Sequence, residues 1–324
     1  MTREDLLEGA IRRGEADVVQ ALLATGLNPN VDFGRGLTPL MLAAGADHPD
    51  MIFSLVAAGA HLNSRDAQGK TALSYAAEAG KLGNLQALFA LGGDFDKGAK
   101  PGDVTPLFAA LYAGQNDVAC WLLAAGDNPN VMGPDGTSPI FYAAKRHDFE
   151  MMEKLLDFGA DPGFAEFSGC SPLHVAIASG KHGLLERLLK AGADPDFLSV
   201  YYNQPPLALA VARNDMQSLL ILIKNGADPD ARDTTDRSAL HYSIRCNNTM
   251  IAKLLLDAGA DPDSADRRSV TPLDLAITFK RQNLISMFEM QREKKKSGGT
   301  LKKSSVPFIR QIAPEVRRRP PPRS

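Results

Sequence analysis

The chain has 324 residues, of which 44% are hydrophobic, and 36 Lys or Arg stand against 38 Asp or Glu, so a large core is affordable in composition and no single-sign charge dominates. Its three cysteines, Cys120, Cys170 and Cys246, are odd in number and share no C-x-x-C spacing, which argues against a disulfide framework or a structural zinc site. The start is polar and no apolar run approaches a signal h-region or a membrane span; the expectation is a cytoplasmic protein without a transmembrane segment, with secretion by a non-classical route left open.

From the N-terminus, residues 4–26 read as a helix pair with Leu6, Leu7, Ala10, Val18, Val19, Leu22 and Leu23 apolar and Arg12, Arg13, Glu15 and Asp17 free to face water, a pattern suited to an end cap. Beyond it a Thr-Pro-Leu-like site recurs at Thr38, Thr71, Thr105, Ser138, Ser171, Pro205, Ser238 and Thr271, at intervals of 33 or 34 residues. A hydroxyl there can cap a helix, and the proline that often follows suits the first helical turn because no useful N–H is lost. Nine residues on lie Asp47, Gly80, Gly114, His147, Gly180, Asn214, Asn247 and Lys280, mostly types that tolerate a left-handed backbone between two helices. Seventeen and eighteen residues on come pairs such as Leu122-Leu123, Leu188-Leu189 and Leu255-Leu256, expected to be buried between neighbouring repeats. In the last repeat that pair is Phe288-Glu289, which sets a charge where a further repeat would pack.

The stretch Ser171-Pro172-Leu173-His174-Val175-Ala176-Ile177-Ala178, followed by Gly180, Leu188-Leu189 and Gly192-Ala193-Asp194, resembles the ankyrin repeat, whose template is Gly-x-Thr-Pro-Leu-His-x-Ala-Ala, a glycine, a leucine pair and Gly-Ala-Asp. The resemblance implies an all-α repeat solenoid of stacked helix-turn-helix units with short β-hairpin turns. Nine repeats are expected, about 2–34, 35–67, 68–101, 102–134, 135–167, 168–201, 202–234, 235–267 and 268–296. Departures from the template accompany it: Pro205 lacks the cap hydroxyl, and histidine follows the leucine only as His174 and His241, so the Thr–His bonding common in the family should be mostly absent.

Residues 297–324 form a Pro- and Ser-rich basic tail, expected to be disordered. From Gln291 to Ser324 there are 11 Lys or Arg and 2 acidic residues, which leaves 25 against 36 for residues 1–290; tail and body are oppositely charged, at plus 9 and minus 11. The tail reads as a solubilising end, an electrostatic contact for an acidic partner through Lys294, Lys295, Lys296, Lys302, Lys303, Arg317, Arg318 and Arg319, or a transport address.

No phosphate loop, G-x-S-x-G, H-E-x-x-H or EF-hand spacing is present, so no catalytic residue, metal ligand or cofactor is assigned. Acidic runs such as Asp194-Pro195-Asp196 recur as repeat punctuation, and His174 and His241 occupy structural positions. Cys170 has nothing beside it to depress its pKa, and Trp121 reads as an outer-face contact or a half-buried packing residue. The sequence therefore points to a non-enzymatic scaffold that binds a protein partner. Its expected surface is the concave face of the central repeats, which the resemblance assigns to first helices and hairpins: Tyr112, Lys145, Arg146, Arg213 and Arg245 on helices, and Phe197, Tyr201 and Tyr202 on the long hairpin 196–204. An effector or targeting protein, and a nucleic-acid or anionic-surface binder acting through the tail, are the alternatives; the acidic body opposes the latter.

Overall fold

The computed structural model describes residues 2–46, 48–95, 100, 102–163 and 171–296, with side chains to Glu293. The tail residues named above, from Lys294 onward, and Cys170 therefore lie outside the described side chains. The chain divides into two compact units, Met1–Ser168 and Gly169–Ser324. The first holds α1 (Arg3–Arg13), α2 (Ala16–Ala24), α3 (Pro39–Gly45), α4 (Pro49–Ala57), α5 (Ala72–Glu78), α6 (Leu82–Ala90), α7 (Pro106–Ala113), α8 (Asn116–Ala124), α9 (Pro139–Lys145) and α10 (Phe149–Asp157). The second holds α11 (Pro172–Ala178), α12 (His182–Lys190), α13 (Pro206–Ala212), α14 (Met216–Lys224), α15 (Ala239–Cys246), α16 (Thr249–Asp257), α17 (Pro272–Thr278) and α18 (Gln282–Lys296).

Within each unit an odd-numbered helix packs on the even-numbered one that follows, and equivalent helices of successive repeats stack, as α3 on α5 and α13 on α15. This is an all-helical repeat solenoid. Among the described residues the one β feature is an isolated antiparallel bridge between Ser199 and Gln204.

The turn between the helices of a repeat is left-handed wherever it is described: Gly80, Gly114 and Gly180 at φ 69°, 72° and 64°, and the side-chain-bearing His147, Asn214, Asn247 and Lys280 at 55°, 56°, 49° and 53°. The cap hydroxyl is less uniform than its sequence position suggests. Thr38, Thr71 and Thr271 each accept the N–H of the third helical residue, and that residue's side chain answers the cap's own N–H. Phe108 and Phe141 occupy the answering place after Thr105 and Ser138, and those two hydroxyls have no hydrogen-bond partner among the described residues.

Burial of the apolar pair is also asymmetric. The first member, Leu55, Leu88, Leu122, Leu155, Leu188, Leu222 or Leu255, is 0% exposed in each case, and Phe288 takes the same place at 0% in the last repeat. The second member lies further round the helix: Leu123 is buried, but Phe89 is 38% exposed and stacks on Phe95 at 4.7 Å, with Trp121 edge-on to both. Trp121 is thus a half-buried packing residue. In the N-terminal helix pair Leu7, Ala10, Ile11 and Val19 are buried, whereas Val18 is 42% exposed and Leu22 and Leu23 are half-covered.

Successive hairpins are tied by a side-chain ladder. Asn30 Oδ1 accepts the N–H of His61, Asn63 that of Asp94, and Asn130 that of Asp161; in the second unit Asp196 accepts from Asp228 and Asp230 from Asp261. At the next place Asp263 meets the Arg292 guanidinium at 2.5 Å. Burial of Asp196 and Asp230, against these N–H bonds, raises both carboxyls above their usual range.

Candidate functional site

From α5 on, each first helix is short, starts at a proline or alanine and ends at the left-handed turn. In the first unit Tyr112 is 37% exposed and meets half-buried Tyr142 edge-on at 4.9 Å, both resting on buried Phe108. Burial pushes the Tyr112 phenol up to about 12, so it stays a neutral donor. Lys145 and Arg146 are exposed beside them, with the Arg146 guanidinium 5.8 Å from the Tyr142 ring, within cation–π range. A small cavity of about 140 Å³ opens there, with Tyr142, Arg146 and Met151 in its wall.

In the second unit the 196–204 segment is a turn rather than a true hairpin. Asn203, at φ 55°, reverses the chain and its N–H bonds the Ser199 carbonyl at 2.8 Å. The structure splits the aromatic trio. Tyr202 folds down onto the His174 ring, stacked at 5.3 Å, and Phe197 is half-buried, while Tyr201 stays 71% exposed beside Val200 at 77%. Arg213 and Arg245 are exposed at the ends of α13 and α15.

Between α15 and α17 lies a cavity of about 390 Å³, lined by Arg237, His241, Tyr242, Arg245, Leu275, Phe279 and Arg281. Tyr242 is held by its hydroxyl, which donates to Asp233 Oδ2 at 2.5 Å. Asp233 Oδ1 accepts the N–H groups of Thr235 and Arg237. Burial alone would raise that carboxyl, but the bonds from Tyr242, Arg237 and Thr235 outweigh it and hold it below the usual range. His241 accepts the Ser238 N–H at Nδ1 and reaches the Val270 carbonyl from Nε2, and its burial lowers its pKa; it is a neutral structural group. His174 donates Nε2–H to the Gln204 carbonyl at 2.7 Å, and its Nδ1 has no partner among the described residues, so Thr–His-type bonding is present at His241 and missing at His174.

The sequence-derived candidates divide between the units, with Tyr112, Lys145 and Arg146 in the first and Phe197, Tyr201, Tyr202, Arg213 and Arg245 in the second. Sequence reasoning missed Phe279 and Arg281 in the cavity wall. It also missed the tyrosine–aspartate lock, which recurs as Tyr75 to Asp66 at 2.8 Å; its signal is an aspartate five residues before the cap site and a tyrosine four after it. Among the described residues no three His, Cys, Asp or Glu side chains converge as metal ligands, Cys120 and Cys246 are free thiols, and no helix is long and apolar enough to cross a membrane.

A family model described as ankyrin repeats in three copies matches residues 7–100, 103–198 and 207–293. Comparison with curated proteins finds no match. Since those segments take in both units and nearly every helix pair in them, the chain belongs to the ankyrin-repeat family, whose repeats generally serve as protein-interaction modules.

Proposed function

We propose that the chain is a non-enzymatic scaffold that binds a protein partner through the first-helix face of its repeats, in the cytoplasm, with the basic tail adding secondary electrostatic contacts. One observation carries the reading. Lys145, Arg213 and Arg245 are exposed at the ends of first helices and no hydrogen bond or ion pair engages their side chains among the described residues, although aspartates abound elsewhere in the body. Cations left free beside exposed aromatics are the residue types enriched at binding hot spots. Free thiols at Cys120 and Cys246 accord with a reducing compartment.

Affinity capture with the full-length protein tests it. A variant carrying Tyr112→Ala, Tyr201→Ala, Arg213→Ala and Arg245→Ala should lose the captured partner while melting at nearly the wild-type temperature. Leu220→Ala, an exposed position on second helix α14, should capture normally. Trp121 is unsuited to that comparison because its removal would open the Phe89–Phe95 packing. Unchanged capture by the four-site variant, or loss with Leu220→Ala, would place binding on another face.

A further inference from the structure

The geometry points to the cavity between α15 and α17 as a receptor for an acidic peptide, taking a carboxylate side chain against Arg245 and Arg281 and an aliphatic neighbour against Phe279 and Leu275. This rests on the first-helix reading above and names the partner's chemistry at one part of it. Three arginines, Arg237, Arg245 and Arg281, line this one cavity, and no Asp or Glu is among its lining residues. The nearest acids of the hairpins are spoken for: Asp233 is engaged by Tyr242 and two N–H groups, and Asp266 by the N–H groups of Arg268 and Val270 and by Arg237 at 3.5 Å. The side chains of Arg245 and Arg281 have no hydrogen-bond or ion-pair partner among the described residues, Arg281 Nε being shut off from solvent without an acceptor. A guanidinium with no carboxylate partner keeps its charge uncompensated, so an anion entering beside Arg245 and Arg281 gains charge-assisted hydrogen bonds from their terminal amino groups.

The rest of the wall selects what accompanies the charge. Phe279 is 50% exposed and Ile277 beside it 54%, on a helix whose other face is core, and Leu275 is half-buried. A volume of about 390 Å³ is at the small end of ligand sites, room for one or two side chains and not for a folded surface. A stacked base would use Phe279, but a polynucleotide must also pass its phosphates along a body carrying net minus 11, which favours a short acidic peptide over nucleic acid.

The probe is a short fluorescein-labelled peptide in which aspartates flank a leucine, titrated by anisotropy with full-length protein. A second peptide has asparagine in place of each aspartate, and a third probe is a labelled single-stranded oligonucleotide. The aspartate peptide should bind, and more weakly as salt rises. Arg245→Ala and Arg281→Ala should each weaken it about tenfold or more, the scale of one lost charge-assisted hydrogen bond, Phe279→Ala by severalfold, and Arg213→Ala, outside the cavity, hardly at all. Arg245→Glu reverses the charge at an exposed position: its melting temperature should match wild type while aspartate-peptide binding is lost. Failure of wild type to bind the aspartate peptide, equal binding of the asparagine peptide, indifference to both arginine variants, or preference for the oligonucleotide would each overturn the assignment. If the peptide fails while capture of a partner still depends on Tyr112, Tyr201 and Arg213, the wider first-helix reading survives and only the cavity's role falls.

Discussion

At the scale of single residues, stability hangs on a few polar side chains that complete the helix ends. Asn84, in the first turn of α6 and only 2% exposed, directs its amide at the carbonyls of Ala43, Ala44 and Ala46, where α3 stops. Carbonyls at a helix C-terminus lack their full set of intrahelical donors, Ala43 taking the Ala46 N–H at the cap, so Asn84→Ala should cost about 1–3 kcal/mol in urea unfolding, more than an apolar position of equal size would suggest. His174 gives the chain a pH dependence above the carboxylate range. Burial is the main cause that holds its pKa near 4, against an ordinary 6.5, with the Gln204 carbonyl opposing it. Between those values the unfolded chain binds the extra proton, so the contribution is intact above about 6.5 and drains away as pH falls towards 4, by at most about 3 kcal/mol. Unfolding free energy measured from pH 7 to 4.5 should fall in the wild type and fall less in His174→Gln. The depressed carboxyls of Asp215, Asp233 and Asp274 add losses only at lower pH, as each is protonated below its ordinary range. None of this was visible in sequence as chemistry: Asn84 looks like a surface residue of a helix, and only the neighbouring repeat supplies its acceptors.

At the scale of the element, the recurring Thr, turn and leucine positions made helix starts, left-handed turns and the buried column legible, because each depends on local backbone preference or on a fixed period. The cap bond was legible only in part, since it forms here where the cap has a hydroxyl and the third helical residue also has a side chain able to accept. Thr271 has that answer from Asp274, with bonds of 2.7, 2.9 and 3.2 Å; Ser138 faces Phe141 and has none. Thr271→Ala should therefore cost about 1 kcal/mol, whereas Ser138→Ala, which removes an unsatisfied hydroxyl, should be neutral or mildly stabilising; paired thermal melts decide it. The candidate surface was read less well than the helices. Exposure of Lys145, Arg146, Arg213 and Arg245 followed from helical spacing, but the division of Tyr201 from Tyr202 depends on Asn203 turning the chain, and Phe279 and Arg281 enter a shared cavity only through the packing of α17 on α15.

At the scale of the molecule, each repeat touches only its neighbours, so damage stays local. Phe288, fully buried at the last place of the leucine column, seats α18 against α16 and α17. Phe288→Ala should cost about 3–5 kcal/mol at that end, and hydrogen exchange should show lost protection in α17 and α18 with α3 to α7 unchanged. Uniform loss through both units would mean tighter coupling than a nearest-neighbour stack allows. The hairpin ladder carries the same logic into mechanics. Its described rungs are alike except at the C-terminal end, one side-chain oxygen to one N–H of the next repeat, and within a unit they load in series when the chain is drawn along the stack. No rung is strong enough to shield those beyond it, so under tension a unit yields by peeling at small, similar forces, and on release each repeat has its neighbour as a template to close against. Such a unit extends like a spring, where a single cooperative core would hold and then rupture.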